Sequence, residues 1–557
     1  MEGIEKYIDE IKKYLQEKIK ESYGFETKIN IEIPPENMGD LAFPVFELSR
    51  ALKKNPVEIG KDLYDVKLNF IKEVKLLNGY MNFYVDFEPL INEFMIDLKN
   101  KGKDVLSFEK LNKKIIIEHT SANPTGPLHV GRARNPIIGD TLARIYRKLG
   151  YDVMTHYYVN DAGRQAAILI KGYQDYYRDE EGKEDHVLVK YYQMASRDLE
   201  NGKIKENDIL NIIKEIEMGN REYIMQIRGI LKKVLDGIRD TLLKINVAHD
   251  YYFWETDLIL NGMVKDVENI LRDRIKEDQD GSKYIEVENP SGKEKIYLFR
   301  KDGTSLYFTR DIAYHIYKYN ITKDMINVLG EDHKMHGEAL KNILKIIYDD
   351  INLENVYYAF VNLPEGRMST RSGNVIFLDD LLEESKRRAL EEIKRRRNEE
   401  NEKLAEMIGY SAVRYNILKV QNEKQMTFRW EDALNMEGDS SIFLQYSYSR
   451  SLSILKKEPW MGNFDFSKII EEEEFKLLKH MLFYPYYLKK SAGLNKPHYI
   501  AKFSYDLASL FNSFYTKCPV LRAPDEIKEN RKGIVYAFNV MIEDLMDIMG
   551  LHHPEEI

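Results

Sequence analysis

The uninterrupted apolar run Ile115-Ile116-Ile117, inside KIIIEH, limits the possible folds of this chain more than any other feature. Three β-branched residues in a row cannot alternate between core and solvent, so the segment predicts a strand buried on both faces, as in a parallel sheet. The loop SANPTGPLHVG follows, and then a stretch in which Ile138, Leu142, Ile145 and Leu149 recur at helical spacing until Gly150 stops it. DVMTHYYV predicts a second strand. Strand, helix, strand is a βαβ unit, and such units bind nucleotides beyond the carboxyl ends of their strands. LYFTRD, INVLGEDH and VYYAFVNL each predict a further strand, and each but the last runs into a helix.

At 557 residues and roughly 150 residues per domain, three or four domains are expected. The segment 1–105 opens with an amphipathic helix, passes through PPENMGD and LAFPVFELSRALKKNP, and ends in the alternating NGYMNFYVD, an α+β pattern. Residues 106–380 carry the sheet, interrupted at about 170–295 by a charged helical insertion that ends in ENPSGKEK. Residues 381–557 are periodic almost throughout, as in KLAEMIGYSAVRYNILKV and AKFSYDLASLFNSFYTK. The expected fold is thus α/β and multidomain: a Rossmann-type parallel-sheet domain with a helical insertion, an N-terminal α+β domain and a C-terminal α-helical bundle.

Composition narrows the classes further. With 43% hydrophobic and 31% charged residues the chain can build full cores under a solvated surface, which argues against disorder. A single cysteine, Cys518, excludes an intrachain disulfide or a zinc site built on several thiolates, and fits a reducing compartment. Charges interrupt the first helical stretch, unlike a signal peptide, and no apolar run approaches the roughly 20 residues that cross a bilayer. A net charge of -9 neither proves nor excludes a nucleic-acid partner, because only local basic patches face phosphate.

The chemistry is concentrated in two loops. In the first, Pro127 and Leu128 precede His129-Val130-Gly131-Arg132 at the start of a helix. A helix N-terminus offers free amides and partial positive charge to an anion, and glycine lets a bulky ligand approach the backbone. His129 can donate to phosphate oxygens as charge builds on them. Taken alone, the tetrapeptide describes a capping histidine equally well. The second loop is Arg367-Met368-Ser369-Thr370-Arg371-Ser372-Gly373-Asn374, whose cations and hydroxyls suit closure over a pyrophosphate leaving group. Alone, it also describes a solvated turn.

Together the two loops resemble the HIGH and KMSKS signatures of class I aminoacyl-tRNA synthetases. EHTSANPTGPLHVG, GRARNPIIGDTLARIYRKLGYDV, YYVNDAGRQAA, KDGTSLYFTRDIAYH and EGRMSTRSGNVI resemble the arginyl-tRNA synthetase family in the family's order, with wording closer to archaeal than to eukaryotic members. FRWEDALNMEGDSSIFLQYSYSR, FNSFYTKCPVL and LMDIMGLHHPEEI resemble its anticodon-binding domain and terminus. The resemblance implies ATP as substrate with Mg2+, L-arginine and tRNA(Arg) as partners, no tightly bound cofactor or resident metal, a cytoplasmic monomer, and activation that needs bound tRNA. It places ATP on Pro127, Leu128, His129, Gly131, Arg132 and the Arg367 to Arg371 segment, with His129, Gly131, Arg132, Ser369 and Arg371 as the catalytic set. It places arginine on Glu118, Ser121, Asn123, Tyr307, Asp311 and His333. Guanidinium is a planar, fixed cation, so its pocket needs a carboxylate and an aromatic or hydrogen-bonding wall; Asp311 and Glu118 are the carboxylate candidates. Tyr307 and Asp311 are expected around a strand-to-helix turn, although Asp311 could also be an ordinary first-turn acid. The tRNA is expected on Asn78, Tyr80 and Asn82 of the N-terminal domain and on Gln445, Tyr446 and Tyr448, each of which, taken singly, also reads as core.

The chain departs from the family in four places. The last residue of the first signature is Arg132 instead of histidine, the second lysine of the second signature is Thr370, and Gly126 stands where many relatives carry a compensating lysine. Arg132, with Arg371, is therefore expected to supply the missing charge. His333 replaces a glutamine of eukaryotic relatives; with His336 it forms an HxxH spacing, but no third metal ligand is signalled. The basic runs Lys386-Arg387-Arg388 and Lys394 to Arg397 alternate with glutamates and read first as a solvated face, second as phosphate contact. Two rivals remain: a nucleotidyltransferase of the same superfamily, normally far shorter, and a catalytically silent tRNA-binding paralogue.

Overall fold

The computed structural model describes residues 1–35, 37–289, 292–362 and 376–557. Helix α1 (Glu5–Tyr23) packs Tyr7, Ile8, Ile11, Leu15 and Ile19 inward, the one-sided spacing of an amphipathic helix. It covers a three-stranded antiparallel sheet of β1 (Leu41–Pro44), β2 (Ile71–Leu77) and β3 (Tyr80–Val85), in the order β1-β3-β2. Asn78 and Gly79 join β2 to β3 with φ of 50° and 78°, the paired positive values of a type I′ hairpin.

The central sheet is parallel throughout. Its strands are β4 (Lys114–Glu118), β5 (Asp152–Val159), β6 (Tyr251–Trp254), β10 (Asp324–Gly330) and β11 (Asn352–Tyr358), in the order β11-β10-β4-β5-β6. Ile115, Ile116 and Ile117 of β4 are buried, as a strand covered on both faces requires. The chain steps outward from β4 in one direction through β5 and β6, then returns to β10 and β11 on the other side. The order reverses between β4 and β10, which is where doubly wound sheets open a crevice. Helix α2 (Arg134–Lys148) connects β4 to β5 and buries Ile138, Leu142 and Ile145.

Two expectations are corrected here. The helical insertion expected at about 170–295 consists of α3 (Arg164–Tyr176), α4 (Glu184–Glu200), α5 (Glu206–Glu217) and α6 (Arg221–Lys244), after which β6 rejoins the main sheet. A separate antiparallel sheet of β7 (Lys276–Glu277), β8 (Lys283–Asn289) and β9 (Gly292–Phe299) follows. LYFTRD, expected as a strand, lies in helix α7 (Tyr307–Tyr319) after its N-cap Leu306. Its β-formers mislead because the helix is enclosed on most sides, with Thr309, Ile312, Ala313, Tyr314 and His315 buried, and packing overrides local preference.

Helix α8 (Lys334–Ile347) links β10 to β11. Short β12 (Val361–Asn362) pairs in parallel with β13 (Met426–Thr427). The closing third is helical, with α9 (Leu378–Arg397), α10 (Glu402–Leu418), α11 (Ser441–Lys457), α12 (His498–Lys517) and α13 (Asp525–Met549) around a core that includes Phe511 stacked on Phe538. The basic runs on α9 pair along their own helix: Arg387 and Arg388 with Glu384, Arg395 and Arg396 with Glu392. No helix among the described residues is long and apolar enough to cross a membrane.

Candidate active site

A cleft of about 680 Å3 opens where β4 and β10 part, inside the roughly 300–1,000 Å3 of small-molecule sites. Beyond Glu118 the backbone passes through two residues of positive φ, Thr120 at 69° and Ser121 at 39°. Left-handed backbone is costly for a β-branched residue, so the surroundings must hold it. Thr120 N donates to Asn135 Oδ1 at 2.5 Å and Asn135 Nδ2 donates to Val328 O at 2.9 Å, which ties the loop to α2 and β10. Ser121 Oγ donates to Glu118 Oε1 at 3.1 Å and accepts from Tyr158 N at 3.1 Å. Asn123 reaches Gln165 Oε1 at 2.6 Å, at the root of the insertion.

Pro127, Leu128, His129 and Arg132 line the cleft. Gly131 N donates to His129 Nδ1 at 2.8 Å, so Nδ1 is an acceptor and the ring proton sits on Nε2. Nε2 is buried and has no partner among the described residues. Burial, reinforced by the neighbouring Arg132, lowers the His129 pKa and keeps the ring neutral, leaving one N–H donor to spare. Gly131 cannot easily be anything else, because a Cβ there would stand 2.9 Å from His129 Nδ1 and crowd the bond that fixes the ring. Arg132 is half-exposed, 5.7 Å from the Phe360 ring and 3.4 Å from Asp332 Oδ2. Among the described residues lining the cleft it is the only lysine or arginine. Gly126 packs against the insertion: a Cβ would meet Val189 Cγ2 of α4 at 2.6 Å.

Arg367, Met368, Ser369, Thr370 and Arg371 of the second signature lie outside the described residues. The chain that follows them does not. His129 pairs antiparallel with Phe377, Val130 N donates to Ile376 O at 3.1 Å, and Leu378 N donates to Leu128 O at 2.7 Å. The first signature is thus stitched by backbone bonds to the segment that follows the second one in sequence.

The cleft's other wall is acidic. Glu118 is already neutralised: its Oε2 accepts from the buried Lys318 ammonium at 2.8 Å. Lys318 also donates to Asn327 Oδ1 at 2.9 Å, and Asn327 Nδ2 lies 2.8 Å from His315 Nε2. Since an ammonium only donates, it fixes the Asn327 amide, makes His315 Nε2 an acceptor and puts the His315 proton on Nδ1. That nitrogen lies between Asp311 O at 2.8 Å and Asp311 Oδ1 at 3.1 Å, while His336 Nε2 lies 2.7 Å from Asp311 Oδ2. Burial would raise the Asp311 carboxyl pKa, but the hydrogen bonds from His315 and His336 outweigh it and hold the group well below the usual carboxylate range. Asp311 is therefore an ionised carboxylate facing the cleft with no lysine or arginine paired to it among the described residues.

Tyr307 and Asp311 do not flank a strand-to-helix turn but lie four residues apart on α7, one above the other on the same face. The Tyr307 ring stands 5.3 Å from that of His336. His333 lines the cleft with Nε2 3.7 Å from Asp332 Oδ2. Sequence reasoning missed His336 as a partner of Asp311, and missed Asn135, Lys318 and Asn327, whose spacing carries no local signal because their partners are remote in sequence.

The tRNA candidates separate by burial. Asn78 is exposed and Tyr80 half-buried, edge-on to Phe46 with ring centroids 5.4 Å apart, whereas Asn82 is buried. Gln445 and Tyr448 are also interior; Gln445 Nε2 bonds His552 O at 2.9 Å. The side chains of Asn82, Gln445 and Tyr448 are thus turned into the protein, whereas those of Asn78, Tyr80 and Tyr446 are at least partly accessible. Tyr446 lines a second cavity of about 840 Å3 with Arg450, Lys456, Lys457, Tyr515 and Arg522. The Arg450 guanidinium sits 4.4 Å from both the Tyr446 and Tyr515 rings. Elsewhere Asp185, His186 and Asp379 come together, but the Lys183 ammonium already lies 2.6 Å from Asp379 and 3.1 Å from Asp185 and supplies the positive charge there.

Residues 96–430 match the family described as tRNA synthetases class I (R), catalytic domain; residues 9–85 match the arginyl tRNA synthetase N terminal domain, and 444–557 the DALR anticodon binding domain. The chain is 38% identical over 556 residues to the arginine--tRNA ligase of Methanocaldococcus jannaschii, covering 97% of this chain and 98% of the relative. Its fold is similar to Thermus thermophilus arginyl-tRNA synthetase, with TM-score 0.88, 25% identity and coverage of 99% and 100%. It is also similar to the Plasmodium falciparum enzyme, with TM-score 0.83, 18% identity and coverage of 99% of each chain, a likeness of fold alone. With its parallel sheet opening at the strand reversal and its helical closing third, the chain belongs to the arginyl-tRNA synthetase family of class I.

Proposed function

We propose that the chain is an arginine–tRNA ligase whose cleft holds the guanidinium of arginine against Asp311 and the α-phosphate of ATP against His129 and Arg132. The observation that carries this reading is the pairing, among the described residues, of an ionised carboxylate lacking a fixed cation with an unpartnered Nε2–H donor in one cleft. Glu118, engaged by Lys318, is the weaker guanidinium acceptor; with Ser121 and Asn123 it is placed to receive the substrate α-ammonium instead.

In the first step the arginine carboxylate oxygen attacks the α-phosphorus in line, the bond to the bridging oxygen breaks, and pyrophosphate leaves. The His129 N–H and the Arg132 guanidinium stabilise the charge that grows on the phosphate oxygens. Ser369 and Arg371 complete the set from the second signature. In the second step the terminal ribose hydroxyl of tRNA(Arg) attacks the adenylate carbonyl, and AMP departs. No protein nucleophile is used, so catalysis is positioning plus charge stabilisation. Magnesium arrives with ATP and counts as substrate. A fixed cation with five donors separates arginine from other amino acids well enough that no editing site is demanded. The aromatic and basic cavity around Tyr446 and Arg450 suits unpaired bases and phosphates of the anticodon loop, and Asn78 and Tyr80 remain candidates for an outer tRNA contact. The reaction belongs in the cytoplasm.

Exchange of pyrophosphate into ATP, measured with tRNA present and each of the twenty amino acids in turn, tests the assignment. Exchange with arginine alone is the expected result; RNA binding without exchange would support the silent paralogue instead.

A further inference from the structure

Arg134 lies two residues beyond the first signature and is fully buried, yet no carboxylate among the described residues comes within ion-pair distance of it. Four of its five donors end on carbonyl oxygens: Nη1 on Ala359 O at 3.1 Å and Lys424 O at 2.7 Å, Nη2 on Val420 O at 3.0 Å and Gln421 O at 2.8 Å, while the buried Nε has no partner among the described residues. Burial pulls its pKa down to about 10, so it stays charged at neutral pH. An enclosed cation held only by neutral groups is costly, and a junction that merely glued two domains together could be apolar. Three of the four acceptors, Val420, Gln421 and Lys424, lie beyond the end of α10 in the connection to β13.

The segment bearing those acceptors also touches the chain that leads to the other signature in sequence. Ala359 N donates to Asn422 O at 3.0 Å, β12 pairs with β13, and Phe428 N donates to Asn362 O at 2.8 Å. Asn362 is the last described residue before the second signature, and the chain reappears at Ile376 bonded to Val130. The segment's other side is held to the bundle by Asn422 Nδ2, which donates to Asn495 O at 3.0 Å. One stretch, 420–428, therefore seats both the helix that starts at the first signature and the strand that leads to the second.

We propose that Arg134 is a positioning residue: by gathering four carbonyls from two segments it sets the helix that starts at the first signature in register with β12, the strand that precedes the second in sequence. This rests on the cleft assignment above. Only a planar guanidinium has the fork of donors that the site uses; lysine has three donors on one atom and cannot span it. A misplacement of about 1 Å costs on the order of 100-fold in rate. The arginine pocket stands on β4 and α7 and shares no atom with the junction.

The test is R134K, assayed for kcat of adenylate formation and for arginine affinity by calorimetry. A fall in kcat of about 10- to 100-fold with arginine Kd within threefold is expected. F511L, which disturbs the bundle core away from the cleft, serves as a control for general destabilisation: if it lowers Tm as much as R134K and loses as much kcat, the role is merely structural and the proposal is overturned. If R134K does not fold, N422A is read the same way, and an unchanged kcat there overturns it. H129Q in the same assay separates the two readings. Activity lost in H129Q but kept in R134K removes the positioning role and leaves the cleft assignment standing; activity kept in both removes the cleft assignment.

Discussion

Asp311→Asn changes one charge and almost no volume, at the point where the account places the guanidinium. In the wild type both carboxylate oxygens accept from imidazole nitrogens, at 2.7 Å and 3.1 Å, and the side chain is 19% exposed, so water screens it little. The carboxamide can accept only through oxygen, and its NH2 meets an N–H of His315 or His336. Arginine then enters a cleft whose other described carboxylates, Glu118 and Asp332, face Lys318 and Arg132. Removing one partner of a buried charge pair costs about 3–5 kcal/mol, and at about 1.4 kcal/mol per decade this is roughly 150- to 4,000-fold in affinity. Calorimetric titration with arginine and with citrulline, its neutral near-isostere, isolates the charge. The variant should lose arginine affinity by that factor while citrulline changes by only a few-fold, so that discrimination between the two collapses. Arginine affinity within threefold of wild type, or equal losses for both ligands, would refute the placement of the guanidinium on Asp311.

Arg132→Ala should abolish adenylate formation with arginine Kd intact, and Arg132→Lys should retain part of the rate; near-normal turnover of the alanine variant in pyrophosphate exchange contradicts the role. Gly126→Lys restores the residue common in relatives but drives a Cβ within 2.6 Å of Val189, so activity should fall, and pairing it with Val189→Ala should recover part of it in the same assay. His156 and His249 titrate at about 3 and about 4 in the fold, chiefly because burial disfavours their charged forms. As pH drops from 6.5 towards 4 the unfolded chain takes up protons that the native one refuses. Stability is therefore full above about 6.5 and declines below it, by up to about 1.4 kcal/mol per pH unit for each ring. Urea unfolding at pH 7.5 and pH 5 checks this, and equal or greater stability at pH 5 would contradict it.

The βαβ unit was legible because its signals are local: a triple isoleucine, a 3.6-residue stripe and a stop glycine all report on their own neighbours. The sheet's far edge was not. β6 is four residues, YYFW, set between charged helices, and nothing in so short a run says that it pairs with His156 to Val159 of β5. Tyr307 and Phe308 favour a strand by propensity, and it is the burial of α7 against its neighbours that makes them helical. In the site, His129 and Asp311 could be named from the order of motifs, but their protonation could not. That depends on Gly131 N for one, and on the chain from Lys318 through Asn327 and His315 for the other. Arg132 and Arg134 look interchangeable in GRAR, yet one faces the cleft and the other is buried among carbonyls contributed by residues more than 220 positions away.

A crystal structure with a non-hydrolysable arginyl-adenylate analogue measures the central claim directly. The account predicts the guanidinium within hydrogen-bonding distance of Asp311, and a phosphate oxygen within hydrogen-bonding distance of His129 Nε2, with Arg132 turned from Asp332 towards it. A guanidinium bound to another carboxylate, or a phosphate out of reach of His129, would contradict it.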